Sequence, residues 1–359
     1  MVMKNQFNRR NFLKYSLSFA AGGAMVAILN PYLRIGNRIL EILNPGLEKP
    51  FRKSFLSMGS FVDIAIYDRN MKYLPAIMAK AEEEILAIDR LMSSFTETSD
   101  LAKVNRAAGH DSVTVDARLC EVMAMARDIG RRTDGVFDPT VLPLLQLYGL
   151  RNNHPRIPDE RSLEKTLTLV DYRQIHVSRA DNRVGLEKQG MAADLGGIAV
   201  GYAVDRAVAV LKAHGIEKAV INAGGEVYAL GKPAGQEGWH IGIQHPRIPN
   251  RLAGKIVLAD KAVSTSGNYE FKAQSENRNL GHLFDPYTGA MPDPMLSATV
   301  TADTTMEADA LSTTAFLMGT DRAAAFITRQ RGAGAVFALA GTGQQIDMMR
   351  SGRFPKISA

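Results

Sequence analysis

The sequence predicts an α+β fold with mixed, mostly antiparallel sheets, and three observations carry that prediction. Most strand-like segments follow one another through short turns, which is how antiparallel strands connect. The helix-periodic segments cluster instead of alternating strictly with strands, which disfavours a doubly wound parallel sheet. A hydrophobic content of 46% in 359 residues supports a real core in one large or two ordinary domains.

The formal net charge of +6 is unevenly placed. Residues 1–53 hold nine Lys/Arg and two Asp/Glu, whereas the remainder holds 34 and 35. The basicity sits in the N-terminal stretch, so the body has no electrostatic footprint for nucleic acid. Cys120 is the only cysteine. That excludes an internal disulfide and a cysteine-rich metal or iron–sulfur centre. Cys120 shares a helical pattern with Leu119, Val122 and Met123 and reads as core.

Residues 1–30 read as an export leader. Asn8-Arg9-Arg10-Asn11-Phe12-Leu13-Lys14 precedes an apolar run from Tyr15 to Leu29, a basic n-region before a short h-region. Paired arginines followed by Phe-Leu-Lys give the twin-arginine form of such a signal. The run is short for a membrane span, which needs about 20 residues. Cleavage near Ala24-Met25-Val26-Ala27 and retention as an inner-membrane anchor both stay open. Residues 31–51, with Pro31, Pro45 and Pro50, read as a linker. One domain is expected over 52–359.

Within it, Phe61 to Tyr67 alternates and is β-branched, a strand. Ile77, Ala81, Ile85, Ile88, Leu91 and Met92 recur at helical spacing across 74–93. Ser112 to Val115 is a short strand, and Asp116 caps a helix that ends at Thr133-Asp134-Gly135. In Gly135-Val136-Phe137-Asp138-Pro139-Thr140, the proline forces Asp138 out of helical geometry. That loop either presents amides and Asp138 to a ligand or is an ordinary turn. Residues 151–160 read as a polar surface loop, and 174–187 as a hairpin.

Met191 to Leu195 runs as a strand into Gly196-Gly197, then a helix spans Ile198 to His214 with Gly215 as its stop. A diglycine turn opening a helix suits an anion. It is neither the dinucleotide fingerprint nor a P-loop. Asp194 equally serves as a strand-end carboxylate holding turn amides. Val220 to Tyr228 reads as two strands around a glycine bulge at Gly224-Gly225. Trp239 to Gln244 is a strand. Ala262 to Glu270 passes from strand into a hydroxyl-rich loop, His282 to Asp285 reads as a strand entering a tight turn, and Ser297 to Thr301 is a strand. A helix then carries Glu307-Ala308-Asp309-Ala310-Leu311-Ser312-Thr313 and stops at Gly319. Asp309 and Thr313, four apart, share one face. They offer two hard oxygens to Mg²⁺ or Ca²⁺, or else they cap the helix and face water.

Seven motifs in this order resemble the ApbE family, the FAD:protein FMN transferases. They are Met58-Gly59-Ser60, the 133–140 loop, Asp194-Leu195-Gly196-Gly197 with the helix start to Asp205, Asn222-Ala223-Gly224-Gly225-Glu226, Ser264 to Tyr269, His282 to Gly289, and Glu307 to Thr313. The resemblance spans roughly residues 52–340 and implies a T-fold-like body with helices around an FAD cleft. It implies Asp309, Thr313 and neighbouring Ser312, with a backbone oxygen at the Gly197 turn, as holders of a divalent ion, Mg²⁺ or Ca²⁺. Met58, Phe95, Val136, Phe137, Asp138, Asp194, Val200 and Val263 fall at flavin-contacting positions. The family often has lysine where Val200 stands. His282 is the candidate base, or else a structural histidine at a strand end.

The resemblance implies a metal-dependent enzyme. An acceptor protein's Thr or Ser hydroxyl attacks the FMN-side phosphorus of FAD, and AMP leaves. Such a site needs oxygen ligands, amide donors and one base. Two rivals share the residues: an FAD pyrophosphatase with water as nucleophile, and a non-catalytic periplasmic flavin-binding protein. Asp285 to Ala290 also echoes the family's acceptor sequon, although Met291 breaks the pattern and a hairpin turn is preferred. The leader implies a periplasmic site of action. The resemblance implies acceptors among exported domains of membrane redox complexes, of the sodium-pumping NADH:quinone reductase or Rnf type, or the flavoprotein regulator of nitrous oxide respiration.

Overall fold

The computed structural model describes residues 49–68, 72–152, 154–267, 273–275, 278–292 and 295–358. The expected leader, nearly all of the linker and Asn268-Tyr269-Glu270 of the hydroxyl-rich segment lie outside them. No helix among the described residues is long and apolar enough to cross a membrane.

Strands β1 (Phe51–Ser57) and β2 (Ser60–Ile66) pair through a two-residue turn at Met58-Gly59. Helix α1 (Leu74–Met92) buries Leu74, Ile77, Met78, Ala81, Ile85, Ile88 and Met92, a stripe at three- and four-residue spacing. There follow α2 (Asp100–Arg106), capped by Ser99, β3 (Val113–Thr114), and α3 (Ala117–Arg132), capped by Asp116 as expected. Two short helices, α4 (Leu142–Leu147) and α5 (Glu160–Leu167), precede the hairpin of β4 (Ile175–Ser178) and β5 (Arg183–Leu186). Then come α6 (Ala199–Ala213), β6 (Ala219–Ala223), β7 (Glu226–Leu230), β8 (Trp239–Gln244), β9 (Leu252–Leu258) and β10 (Lys261–Gly267). The chain closes with β11 (Ala273–Ser275), β12 (Arg278–Leu280), β13 (Met295–Ala302), α7 (Thr305–Met318), α8 (Thr320–Thr328), β14 (Gly334–Ala340) and β15 (Ile346–Gly352).

One eight-stranded sheet, in the order β1-β2-β6-β7-β10-β13-β14-β15, organises the fold, and each neighbouring pair is antiparallel. The mixed α+β architecture is as the sequence predicts. Period-2 alternation gives the sheet two apolar faces. Val62, Ile64, Ile66, Ile221 and Tyr228 pack with α1, α3 and α6. Val220, Val227, Ala229 and Val263 point the other way, onto the β8–β9 ribbon and the fully buried Trp239. The Trp239 indole N–H donates to Leu230 O at 3.0 Å, so the largest core side chain is also satisfied. Helix α7 lies on the helical face over β10 and β13 and is buried almost all round.

Four local expectations are corrected. Met191 to Leu195 is not a strand: only Ala192 forms an isolated bridge, parallel to Val141. Gly224-Gly225 is not a bulge. Ala223 pairs directly with Glu226, and both glycines have positive φ, 68° and 110°. That is the two-residue hairpin turn whose twist matches its strands. Ser264 to Ser266 is not loop but strand β10, its serines turned toward α7. His282 to Asp285 is not a strand; it leads into a turn in which Asp285 Oδ1 accepts the N–H of Tyr287 and Gly289 donates to Asp285 O.

Candidate active site

The site forms where α6 and α7 start close together. Gly201, in the first turn of α6, donates its backbone N–H to Asp309 Oδ2 at 3.0 Å. Early helix amides have no partner within their own helix, so the carboxylate caps α6 from the side. One turn further on, Asp205 returns the favour and accepts from Thr305 and Met306 N–H at 2.7 and 2.8 Å, capping α7. Only glycine fits at 201: a Cβ there would lie 2.4 Å from Thr305 O. The two helices therefore run antiparallel with Asp309, 3% exposed, held at their junction.

One helical turn beyond Asp309, Thr313 reaches the diglycine turn. A Cβ on Gly197 would sit 3.1 Å from Thr313 Oγ1 and 3.4 Å from the Phe137 ring. Thr313 thus stands against the Gly197 turn, and Asp309, one helical turn away, is bound to Gly201 N–H. Ser312 Oγ donates to Asp309 O at 2.9 Å and lies 2.7 Å from Ser266 Oγ and 3.1 Å from Ser264 Oγ. Ser266 also contacts Thr313 Oγ1 at 3.2 Å. A hydroxyl has one proton and two lone pairs, so the Ser312 side chain is committed to the lattice behind the pair.

The amide donors at the start of α6 are largely spent internally. Gly196 N–H goes to Asp194 Oδ1, Ile198 and Ala199 N–H go to Leu195 O, and Gly201 N–H goes to Asp309. An anion beside this turn therefore gains less from free amides than the sequence pattern suggests. Neutralisation must come from elsewhere. A buried carboxylate and a buried hydroxyl one helical turn apart, the hydroxyl against a glycine turn, are hard oxygen donors of the kind a divalent ion takes, so the residues fit such an ion. Among the described residues no group of three His, Cys, Asp or Glu forms a rival metal centre.

Asp194 is the hub of a second cluster. Its backbone N–H donates to Pro139 O at 2.7 Å, tying it to the 133–140 loop. Its carboxylate accepts Gly196 N–H at 2.9 Å and the Ser94 hydroxyl at 2.5 Å. Arg151 Nη1 stands 3.6 Å away. The Arg151 guanidinium lies 3.4 Å from the centroid of the Phe95 ring. Burial lowers the Arg151 pKa, and Asp194 opposes that shift.

The remaining predicted residues divide. Val136 and Phe137 are buried beside the turn. Asp138 faces inward: Oδ1 accepts from Thr140 N–H and hydroxyl at 2.8 and 2.6 Å, and Oδ2 accepts Tyr172 N–H at 2.8 Å. Burial raises its pKa to about 6 against those bonds. Asp138 thus shapes its loop and does not present its carboxylate to a ligand. Met58 sits at φ 53°, a strained conformation for a side chain with a Cβ. Asp89 holds it by accepting Met58 N–H at 2.8 Å. The Val200 side chain packs into the main core and that of Val263 into the cluster around Trp239; either position reaches a ligand only through its backbone. His282 is half-buried between β12 and the 285–290 turn. That turn is pinned to the 133–140 loop by the Tyr287 hydroxyl, which donates to Asp134 O.

The ApbE family model matches residues 58–337. The chain belongs to the ApbE family. The FAD:protein FMN transferase of Treponema pallidum is 28% identical over 309 residues, which is 80% of this chain and 84% of that protein. The crystal structure of the ApbE protein of Thermotoga maritima aligns with a TM-score of 0.77 at 31% identity, covering 84% of this chain and 97% of that one. The apo form of the flavinyl transferase ApbE of Pseudomonas stutzeri gives 0.74 at 25%, covering 85% and 96%.

Within this ApbE site, sequence reading missed Arg151, Ser94, Gly201 and Ser266. Arg151 lay in a polar stretch with no periodicity. Gly201 in the first turn of α6 was a usable signal, since a glycine inside an apolar helix allows close approach of a neighbouring backbone.

Proposed function

We propose that this protein is an enzyme, an FAD:protein FMN transferase. It moves the FMN moiety of FAD onto a Thr or Ser hydroxyl of an acceptor protein, releases AMP, and requires a divalent ion. The observation that supports the reading is Thr313 standing against the Gly197 turn, one helical turn from the buried Asp309, in a chain of the ApbE family. The relatives' shared name supports the substrate.

The acceptor oxygen bonds to the FMN-side phosphorus, and the bond from that phosphorus to the bridging oxygen breaks. The electron pair leaves with AMP. His282 takes the hydroxyl proton. Asp309, Thr313 and the Gly197 carbonyl would hold Mg²⁺ or Ca²⁺, with Ser312 fixing the pair from behind. When bound, that ion supplies neutralisation of the diphosphate's charge. The α6–α7 junction keeps the ligand oxygens pre-placed, which is most of what phosphoryl transfer asks of a protein.

The basic twin-arginine leader supports action in the periplasm on an exported flavoprotein domain of a membrane redox complex. Purified protein is incubated with FAD, Mg²⁺ and a candidate acceptor domain, and the acceptor is weighed intact. An acceptor heavier by one FMN, with AMP released, supports transfer. Free FMN with an unlabelled acceptor makes the protein a pyrophosphatase. Tight flavin binding without either product makes it a carrier.

A further inference from the structure

We infer that Arg151 is a positioning residue for FAD, holding Phe95 as a stacking platform for a planar ring of the dinucleotide beside Asp194 and the diglycine turn. This rests on the transferase reading and deepens it. The guanidinium covers one face of the Phe95 ring at 3.4 Å from its centroid, while the ring is 58% exposed. A large aromatic left open to solvent on one face and backed by a planar cation on the other is a preformed stacking surface.

Arg151 is not free to act as a phosphate clamp. Its charge is paired with Asp194 at 3.6 Å, and the two side chains are only 15% and 17% exposed. Asp194 is itself locked by Gly196 N–H and the Ser94 hydroxyl. Ser94 adjoins Phe95, so the aromatic and its cationic backing hang from the same carboxylate. The segment carrying Arg151 is anchored as well. Tyr148 donates its hydroxyl to Gly289 O at 2.8 Å, and Arg156 Nε donates to Leu147 O at 2.8 Å. The Arg151 side chain therefore ties the loop after α1, the loop after α4 and the diglycine turn into one rim. FAD carries two planar ring systems, isoalloxazine and adenine, either of which matches the open face of Phe95. A lysine keeps the charge beside Asp194 but has no plane to lay on the ring.

The test compares wild type, Arg151→Ala and Arg151→Lys. FAD affinity is read by flavin-fluorescence titration of the apo protein, kcat and KM are read with saturating acceptor, and thermal melts confirm folding. Arg151→Ala should raise the FAD Kd and KM about tenfold and leave kcat at saturating FAD within about threefold. Arg151→Lys should not restore wild-type affinity. An unchanged FAD Kd in folded Arg151→Ala overturns the inference. So does full affinity in Arg151→Lys, or a fall in kcat with Kd intact. If Arg151→Ala does not fold, Arg151→Lys decides alone: a raised Kd supports the inference and a wild-type Kd overturns it. Wild-type protein that binds no FAD overturns the transferase reading and this inference together, whereas failure in the variants alone leaves the transferase reading standing.

Discussion

Gly201 N–H and Asp309 Oδ2 meet at 3.0 Å across two antiparallel helices, and a Cβ at 201 would collide with Thr305 O at 2.4 Å. The position of the site's carboxylate therefore depends on a hydrogen atom standing where other residues carry a methyl. Gly201→Ala should push the two helices apart. The expected cost is about 1–3 kcal/mol in a denaturant melt, with transfer lost more steeply than stability. A variant of wild-type activity would show that the junction tolerates movement.

Asp309 separates charge from hydrogen bonding. Asp309→Asn keeps an acceptor for Gly201, whereas Asp309→Ala leaves that amide buried and unpaired, at about 1–3 kcal/mol. The melts should rank wild type, Asn, Ala. Transfer should fall by at least about 100-fold in both, because neither retains the negative oxygen a divalent ion needs. Substantial activity in Asp309→Asn, in the presence of chelator, would remove the ion from the reaction.

Asp138 gives a pH signature. Burial raises its pKa to about 6 from the ordinary aspartate value of 3.8. Between those values the folded chain keeps a proton that the unfolded chain has released. Stability therefore falls as pH rises through this window and is flat above it. The loss attributable to Asp138 is about 3 kcal/mol. Denaturant melts of wild type and Asp138→Asn from pH 4 to 7 should differ by a step of that sign. The step belongs to the difference curve, because Asp63, Asp205 and Glu307 are also raised by burial. A flat difference would mean that water reaches the Asp138 loop.

Much of this was legible in the sequence where one physical signal dominated. The α1 stripe, the Asp116 cap of α3 and the Gly215 stop of α6 each follow a local rule. Asp309 and Thr313 were legible because helical spacing alone puts them on one face. The misses have specific causes. Ser264 and Ser266 read as loop because nothing in a single sequence shows that their hydroxyls meet Ser312. Strand β14, Gly-Ala-Val-Phe-Ala-Leu-Ala, is buried through most of its length and shows no alternation. Helix α5 is eight residues long and its only apolar side chains, Leu163 and Leu167, are half-buried, a stripe too short to stand out in the sequence. Arg151 could not be found at all, since a cation beside an aromatic fifty-six positions away leaves no trace in local pattern.

Ser312 and Thr313 are adjacent hydroxyls on the same buried helix, and their surroundings assign them different work. Ser312 Oγ donates to Asp309 O at 2.9 Å and has Ser266 at 2.7 Å and Ser264 at 3.1 Å, which saturates it. Thr313 Oγ1 has Ser266 at 3.2 Å and otherwise faces Gly197, leaving a lone pair toward the turn. If a divalent ion sits there, Thr313→Val removes a ligand, whereas Ser312→Ala removes a support. Titrating Mg²⁺ against transfer rate, the half-saturating concentration should rise about 100-fold in Thr313→Val and about tenfold in Ser312→Ala. The FAD Kd measured in chelator should not change in either. The opposite ranking would make Ser312 the ligand and require its hydroxyl to leave Ser264 and Ser266 when the ion binds. Equal and negligible shifts would mean that the ion is held by Asp309 and the diphosphate alone.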